Sequence, residues 1–293
     1  MKKILITGLH SYIGNSLAYY LNENYKQNYE IIQVSMKEQP LASLHFEGVD
    51  TIVHVAGIAH VDGGNMGETQ TKLYYAINRD LAIATAQKAK EEGVRQFIYL
   101  SSMIVFGDSA ALGKRKHITK DTIPCPAGVY GDSKLAAELG LQSLQEDCFQ
   151  VAIVRPPMVY GKGSKGNYPK LSMIAKKIPL FPNIQNQRSM LYIENLCEFL
   201  RLLTDQNRGG IYHPQNKTYS STTDLVKQIA EVHHKKILFT KLGNPIIYLL
   251  ARVSGYVVKI FGSITYDMDL SMYEGMPYQI VDFSESIRRT EGN

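Results

Sequence analysis

The stretch Tyr130-Gly131-Asp132-Ser133-Lys134 sets a phenol and an amine four residues apart. On a helix that spacing puts both groups on one face, one turn apart. An ammonium beside a phenol favours the phenolate, so the Tyr130 pKa is expected to fall below its ordinary value of about 10. Upstream, Ser101-Ser102 offers a hydroxyl that can share a hydrogen bond with that phenol. Such a trio can move a proton on or off an alcohol or ketone oxygen near neutral pH, which is half of a carbonyl–alcohol redox reaction. Tyr-x-x-x-Lys alone is also a common pair of exposed helix residues, so its meaning rests on the elements that position it.

Those elements alternate through the first half of the chain. Short apolar runs at 3–7, 30–34, 51–55, 97–100 and 151–154 read as buried strands. Helical patterns fall between them, including a long one from about Thr69 to Gly93 with a small-residue face of Ala82, Ala84, Ala86 and Ala89. Near-continuous apolar strands alternating with helices specify an α/β protein: a doubly wound, Rossmann-type parallel sheet covered on both faces. After Arg155-Pro156-Pro157 the rhythm breaks into Gly, Pro and Asn, and helices then outnumber strands. The expected division is a nucleotide-binding domain over 1–158, with 189–212 returning to it, and a smaller C-terminal lobe over 159–188 and 213–293.

The first strand runs into Gly8-Leu9-His10-Ser11-Tyr12-Ile13-Gly14. Glycines are expected where a strand-to-helix turn brings backbone close to a pyrophosphate resting on helix N-terminal amides. Ser11 replaces a middle glycine, and its Cβ is expected to narrow the turn. The same turn without a nucleotide is the alternative. At the end of the second strand, where a carboxylate usually holds the adenosine ribose, stand Ser35-Met36-Lys37. A hydroxyl and an ammonium there admit a 2′-phosphate, so the cofactor expected is NAD(H) or NADP(H). Lys37 is equally consistent with an exposed loop lysine.

Composition narrows the classes. The chain has 293 residues, 44% hydrophobic and 20% charged, with a net charge of +5. That length can bury a substantial core. The mild positive balance has no footprint of nucleic-acid binding. Cys125, Cys148 and Cys197 lie far apart, without metal-ligand spacing, and read as free thiols of a reducing compartment. No metal site is expected, and His233-His234 reads as a helix end. The start is too short in apolar residues for a signal peptide. Ile246 to Ile264 is the most membrane-like segment, but Arg252, Gly255 and Lys259 interrupt it. It is read as an amphipathic packing helix rather than a span, and the protein as cytoplasmic.

With glycine turn, Ser-Ser and Tyr-x-x-x-Lys in that order, the chain resembles an extended short-chain dehydrogenase/reductase of the NAD-dependent epimerase/dehydratase group, nearly end to end. Val53-His54-Val55-Ala56-Gly57 is similar to the family's pattern beside the nicotinamide, and Asn78 to the Asn of the following helix. Ser101-Ser102-Met103-Ile104-Val105-Phe106-Gly107 is similar to Ser-Ser-x-x-Val-Tyr-Gly, and that register makes Ser102 the catalytic hydroxyl. Arg155-Pro156-Pro157-Met158-Val159-Tyr160-Gly161 resembles the motif entering the sugar-nucleotide lobe. Arg188, in Asn186-Gln187-Arg188-Ser189 before Tyr192-Ile193-Glu194-Asn195, matches an Arg that contacts the substrate diphosphate.

The resemblance implies a catalytic set of Ser102, Tyr130 and Lys134. It implies cofactor contacts from Gly8, Ser11, Tyr12, Ile13, Gly14, Ser35, Lys37, Val55, Ala56, Gly57, Asn78, Tyr130, Lys134 and Pro157. Substrate contacts are expected from His60, Ser102, Asn167, Lys170 and Arg188; for His60, a loop His satisfied by backbone is an equal alternative. The partner implied is a UDP-sugar, and a homodimer is a family-based expectation. Within the group the likeness is to capsule and O-antigen enzymes that reduce the 4-keto group of a UDP-2-acetamido-2,6-dideoxyhexos-4-ulose. It rests on the shortened stretch between second and fourth strands, His60, Asn-Gln-Arg-Ser, Tyr212-His213-Pro214-Gln215 and an apolar C-terminal helix. Met103 and Ile104 occupy the positions where 4,6-dehydratases carry Asp-Glu, which argues against elimination of water. A UDP-hexose 4-epimerase uses the same three residues and is the alternative. A non-catalytic NADP-sensing relative is a third reading.

Overall fold

The computed structural model describes residues 1–58 and 67–292. Along the chain run β1 (Lys2–Thr7), α1 (Tyr12–Asn24), β2 (Tyr29–Val34), β3 (Thr51–His54), α2 (Glu68–Tyr75), α3 (Leu81–Glu91), β4 (Gln96–Leu100), β5 (Lys116–Ile118), α4 (Val129–Gln142) and β6 (Gln150–Val154). There follow β7 (Met158–Tyr160), α5 (Asn167–Lys177), β8 (Leu180–Pro182), β9 (Met190–Tyr192), α6 (Ile193–Gln206), β10 (Gly210–Tyr212), α7 (Thr222–Val232), β11 (Leu238–Thr240), α8 (Asn244–Leu250), α9 (Gly255–Phe261), β12 (Ile264–Tyr266) and α10 (Phe283–Glu291). The chain separates into two compact units, one of residues 1–107, 123–156 and 197–213, the other of 108–122, 157–196 and 214–293.

The first unit holds a six-stranded sheet in the order β10-β6-β4-β3-β1-β2, parallel throughout. Its strands read as apolar runs because both faces are covered: every residue of β3 and β4 is buried. Only a 3-10 turn, Leu41–Ser43, interrupts the connection between β2 and β3. Chain order therefore reverses between β1 and β3, and in doubly wound sheets ligands bind at the carboxyl ends of the strands flanking that reversal. Those ends are Thr7-Gly8 and His54-Val55.

Ala82, Ala86 and Ala89 of α3 are buried in the core with Phe97, Tyr99, Val151 and Ile153. Gly140 lets α4 approach α3 closely: a Cβ there would fall 2.3 Å from Ile83 Cδ1 of α3. The helix expected from 69 to 93 is interrupted by a π-turn, Ala76–Asp80, that contains Asn78. Single π-turns inside α-helices are concentrated at functional sites, because the extra residue re-aims one side chain.

In the second unit three two-stranded pairs, β8 with β11, β5 with β12, and β7 with β9, stand beside helices α5, α7, α8, α9 and α10. Residues 108–122, inside the expected 1–158 span, group with this unit, and β5 is paired residue for residue with β12. The segment 246–264 is not one packing helix. It is α8, a turn, α9 and the start of β12, and no residue of α8 is buried. Five consecutive apolar residues, Ile246 to Leu250, leave α8 without the polar face of the amphipathic packing helix expected, and these side chains are exposed or half-buried.

Candidate active site

β4 ends on Ser101-Ser102, and Ser102 caps the 3-10 turn Met103–Phe106 by accepting from the Ile104 amide at 3.2 Å. The N-terminal end of α4 carries Tyr130 against this segment. Gly131 makes the approach possible: a Cβ there would lie 2.8 Å from Pro126 Cβ and 3.1 Å from the Ile104 carbonyl oxygen. The Ser102 hydroxyl hydrogen-bonds the Tyr130 phenol. Tyr74 packs edge-on to Tyr130, ring centroids 6.3 Å apart.

Lys134, one turn further along α4, is buried and donates to the Leu100 carbonyl at 2.8 Å. Its amine sits 4.5 Å from the centre of the Tyr99 ring, a cation–π contact. A Cβ at Gly57 would come within 3.4 Å of the same amine, so the backbone after β3 passes over it. Burial pulls the Lys134 pKa down to about 8, and the charge of Glu138 opposes that fall.

The expected depression of the Tyr130 pKa is not what the site does. Burial pushes the phenol up to about 12, Ser102 works against that rise, and Tyr74 adds to it. The physical reason is desolvation of the phenolate, a larger effect here than any neighbouring charge. Tyr130 is thus a protonated hydrogen-bond donor at neutral pH.

Three groups that the sequence reading did not single out brace the elements around Ser102, Tyr130 and Lys134. Glu138, fully buried on α4, accepts from Ser101 Oγ and takes a bidentate ion pair from Arg155, with contacts of 3.1 and 2.6 Å. Thr7 Oγ1 accepts from the Ala56 amide at 3.2 Å and bonds His54 Nδ1 at 3.2 Å. Tyr99 donates to the Asn78 carbonyl at 2.9 Å. Glu138 had a signal, since it lies four residues after Lys134 on the same helix face. Thr7 and Tyr99 had none, being ordinary strand residues in the sequence.

The glycine turn also differs from expectation. Ser11 does not simply narrow it: its hydroxyl caps α1, accepting from the Gly14 amide at 3.0 Å. Gly8 has φ +89°, a conformation that favours glycine, and a Cβ there would meet the Ala56 amide at 3.3 Å. Tyr12 and Ile13 open α1, and their half-buried positions leave the turn accessible. Asn78 is buried, accepts from the Ile58 amide at 2.8 Å and donates to Ser133 Oγ at 3.1 Å. It thereby fixes the Val55-Ala56-Gly57 strand exit against α4. Ser35 is buried and Lys37 is exposed. Sequence reading missed Glu38, whose carboxylate reaches His10 of the glycine turn at 3.0 Å.

These residues fit a nicotinamide dinucleotide. An open glycine turn at the sheet's reversal point suits the pyrophosphate, and the glycine backbone at 57 leaves Lys134 uncovered by a side chain. Gly8, Ser11, Tyr12, Ile13 and Gly14 would hold the pyrophosphate end, and Gly57, Asn78 and Lys134 the nicotinamide end. Among the described residues no cluster of His, Cys, Asp and Glu could hold a metal ion, and no helix is long and apolar enough to cross a membrane.

The second unit contains its own cavity, and it brings Asn167, Lys170 and Arg188 together with Tyr256 and Lys259. Arg188 donates to the carbonyls of Lys259 and Ile260 at the end of α9. Burial lowers its pKa to about 10, still well above neutral, so it remains a desolvated guanidinium. Tyr256, Lys259, Ser221 and Thr222 were missed, because they come from helices with no motif. Pro157 is a buried residue at the start of this unit's second segment. Tyr192 is buried and bonds Glu194 at 2.9 Å, a packing residue. His60 lies outside the described residues.

This order of parts defines a class: the chain belongs to the NAD dependent epimerase/dehydratase family, whose profile matches residues 4–216, and it is an enzyme of the extended short-chain dehydrogenase/reductase type. It is 31% identical over 249 residues to a UDP-glucose 4-epimerase of Vibrio cholerae, covering 78% of this chain and 75% of that one. It is 28% identical over 245 residues to an N-acetyl-alpha-D-glucosaminyl-diphospho-ditrans,octacis-undecaprenol 4-epimerase of Escherichia coli O157:H7, covering 80% of this chain and 70% of that one. Among solved structures, a dTDP-4-dehydrorhamnose reductase of Bacillus anthracis str. Ames in complex with NADP shares the fold. Its TM-score is 0.72 at 20% identity, covering 99% of both chains.

Proposed function

We propose that this enzyme reduces the 4-keto group of a UDP-2-acetamido-2,6-dideoxyhexos-4-ulose, giving UDP-N-acetyl-fucosamine or UDP-N-acetyl-quinovosamine for surface polysaccharide. The observation that carries the reading is the placement of the Tyr130 phenol beside the Ser102 hydroxyl, one helical turn from Lys134 on α4. Reduced nicotinamide, when bound, supplies the hydride to carbon four. Tyr130 then gives its proton to the ketone oxygen, which becomes the alcohol. Ser102 hydrogen-bonds the same oxygen and stabilises charge as it develops there. Lys134 supplies a positive charge beside the phenolate that remains, and that phenolate regains its proton from solvent. Arg188, with Lys170 and Asn167, supplies the diphosphate contact in this reading, a guanidinium being suited to phosphate oxygens.

Buried Met103 and half-buried Ile104 follow Ser102, and neither can transfer a proton. That supports reduction over elimination of water. The second reading, UDP-hexose 4-epimerase, is favoured by the Vibrio cholerae relative. The two are separated by incubating the protein with UDP-4-keto-6-deoxy-GlcNAc and either NADH or NADPH, with UDP-GlcNAc and UDP-glucose in parallel. Stoichiometric oxidation of the cofactor and an NMR spectrum of the 4-hydroxy sugar are expected. Interconversion of UDP-glucose or UDP-GlcNAc without net cofactor use would instead establish the epimerase.

A further inference from the structure

Among the described residues, nothing buries the apolar side chains of α8. Ile246, Leu249 and Leu250 follow the i, i+3, i+4 spacing of one helix face, and Val253 lies in the turn that follows. They are 64, 63, 47 and 85% exposed. Leu242, one turn earlier, is 91% exposed, and the paired strands β8 and β11 place exposed Leu180 opposite exposed Leu238. Isolated exposed apolar residues are ordinary; a helix with five apolar side chains and no buried residue marks an interaction site.

Charge identifies the occupant. Between Glu231 and Asp267 the sequence contains no Asp or Glu, and it carries Lys235, Lys236, Lys241, Arg252 and Lys259. The first four of these are exposed. Residues 157–193 also lack acidic side chains and add Lys176 and Lys177 at the end of α5, the former paired with Glu291. A protein partner that merely covered the leucines would need no such one-signed surround. An exposed apolar helix whose flanking sequence carries exposed cations and no acidic residue is complementary to the headgroup region of an anionic bilayer.

We infer that α8 and the flanking 235–256 segment form a monotopic docking surface for an anionic membrane. The apolar face enters the headgroup boundary and the lysines meet the lipid phosphates. The surface adjoins the Arg188 cavity through α9, which contributes Tyr256 and Lys259 to the cavity wall.

The test is flotation of the full chain with vesicles of phosphatidylglycerol and phosphatidylethanolamine, against vesicles of phosphatidylcholine alone. Binding to the anionic vesicles is expected, weakened by salt and roughly tenfold or more weaker in Ile246→Ser/Leu249→Ser, which replaces two buried apolar contacts at the interface. Lys236→Glu/Lys241→Glu should weaken binding to the anionic vesicles while leaving the apolar face intact. Circular dichroism and activity on soluble substrate should be unchanged in both variants. No partition to the anionic vesicles would overturn the proposal. So would light scattering that shows a dimer abolished by Ile246→Ser/Leu249→Ser, because the stripe would then belong to a second copy.

Discussion

At the residue scale, the site separates two pKa values in opposite senses. Burial raises Tyr130 to about 12 and lowers Lys134 to about 8, so at neutral pH both carry their protons. The ammonium is lost as pH rises through about 8, whereas the phenol keeps its proton across the accessible range. The reductive kcat/KM should therefore fall above about pH 8 with loss of one proton. In Lys134→Arg, whose guanidinium does not titrate there, that limb should vanish even though the rate is lower. A pH–rate series on both proteins checks this, and an unchanged alkaline limb in the variant would exclude Lys134 as its source. Tyr130→Phe removes the donor and keeps the ring against Tyr74. It should bind cofactor normally by fluorescence titration and lose turnover by about two to four orders of magnitude, the range for general acid catalysis.

At the element scale, α4 does most of the positioning. It presents Tyr130 and Lys134, bonds Asn78 through Ser133, and anchors itself by the Glu138–Arg155 pair. Removing one partner of a buried pair strands the other charge. Glu138→Gln should cost roughly 3–5 kcal/mol in urea unfolding. Replacing both, as Glu138→Gln/Arg155→Met, should recover part of that loss.

The strands, the glycine turn and the positions of Ser102 after β4 and of Tyr130 and Lys134 on α4 were legible because period and motif register directly encode them. The Glu138–Arg155 pair joins residues from separate elements, and only its helix spacing to Lys134 hinted at it. The sign of the Tyr130 shift was misread because burial, which sets it, is not written in a local motif. The 246–264 segment shows the complementary limit: an apolar run states that a segment seeks cover but not whether the chain supplies it.

At the scale of the whole molecule, buried His54 and half-buried His213 tie stability to pH. His54 is stacked on Phe97 and Tyr99, and burial lowers its pKa to about 3; burial and Arg155 lower His213 to about 4. Both folded-state values lie below the ordinary 6.5, so the fold favours the neutral rings. Their contribution is complete above about pH 6.5 and is lost as pH falls through about 4 and then 3. The melting temperature should drop progressively below about pH 6.5. In His54→Phe, which preserves the stack and cannot be protonated, the drop should be smaller. An equal drop in both proteins would assign the acid sensitivity elsewhere.

The reaction itself is tested most directly by isotope. With the 4-keto sugar and reduced nicotinamide deuterated at the transferred position, the product should carry one deuterium at carbon four for each cofactor oxidised, and Tyr130→Phe should form almost none. A product without deuterium at that carbon, or sugar turnover with no cofactor oxidised, would contradict the assignment of this site to ketone reduction.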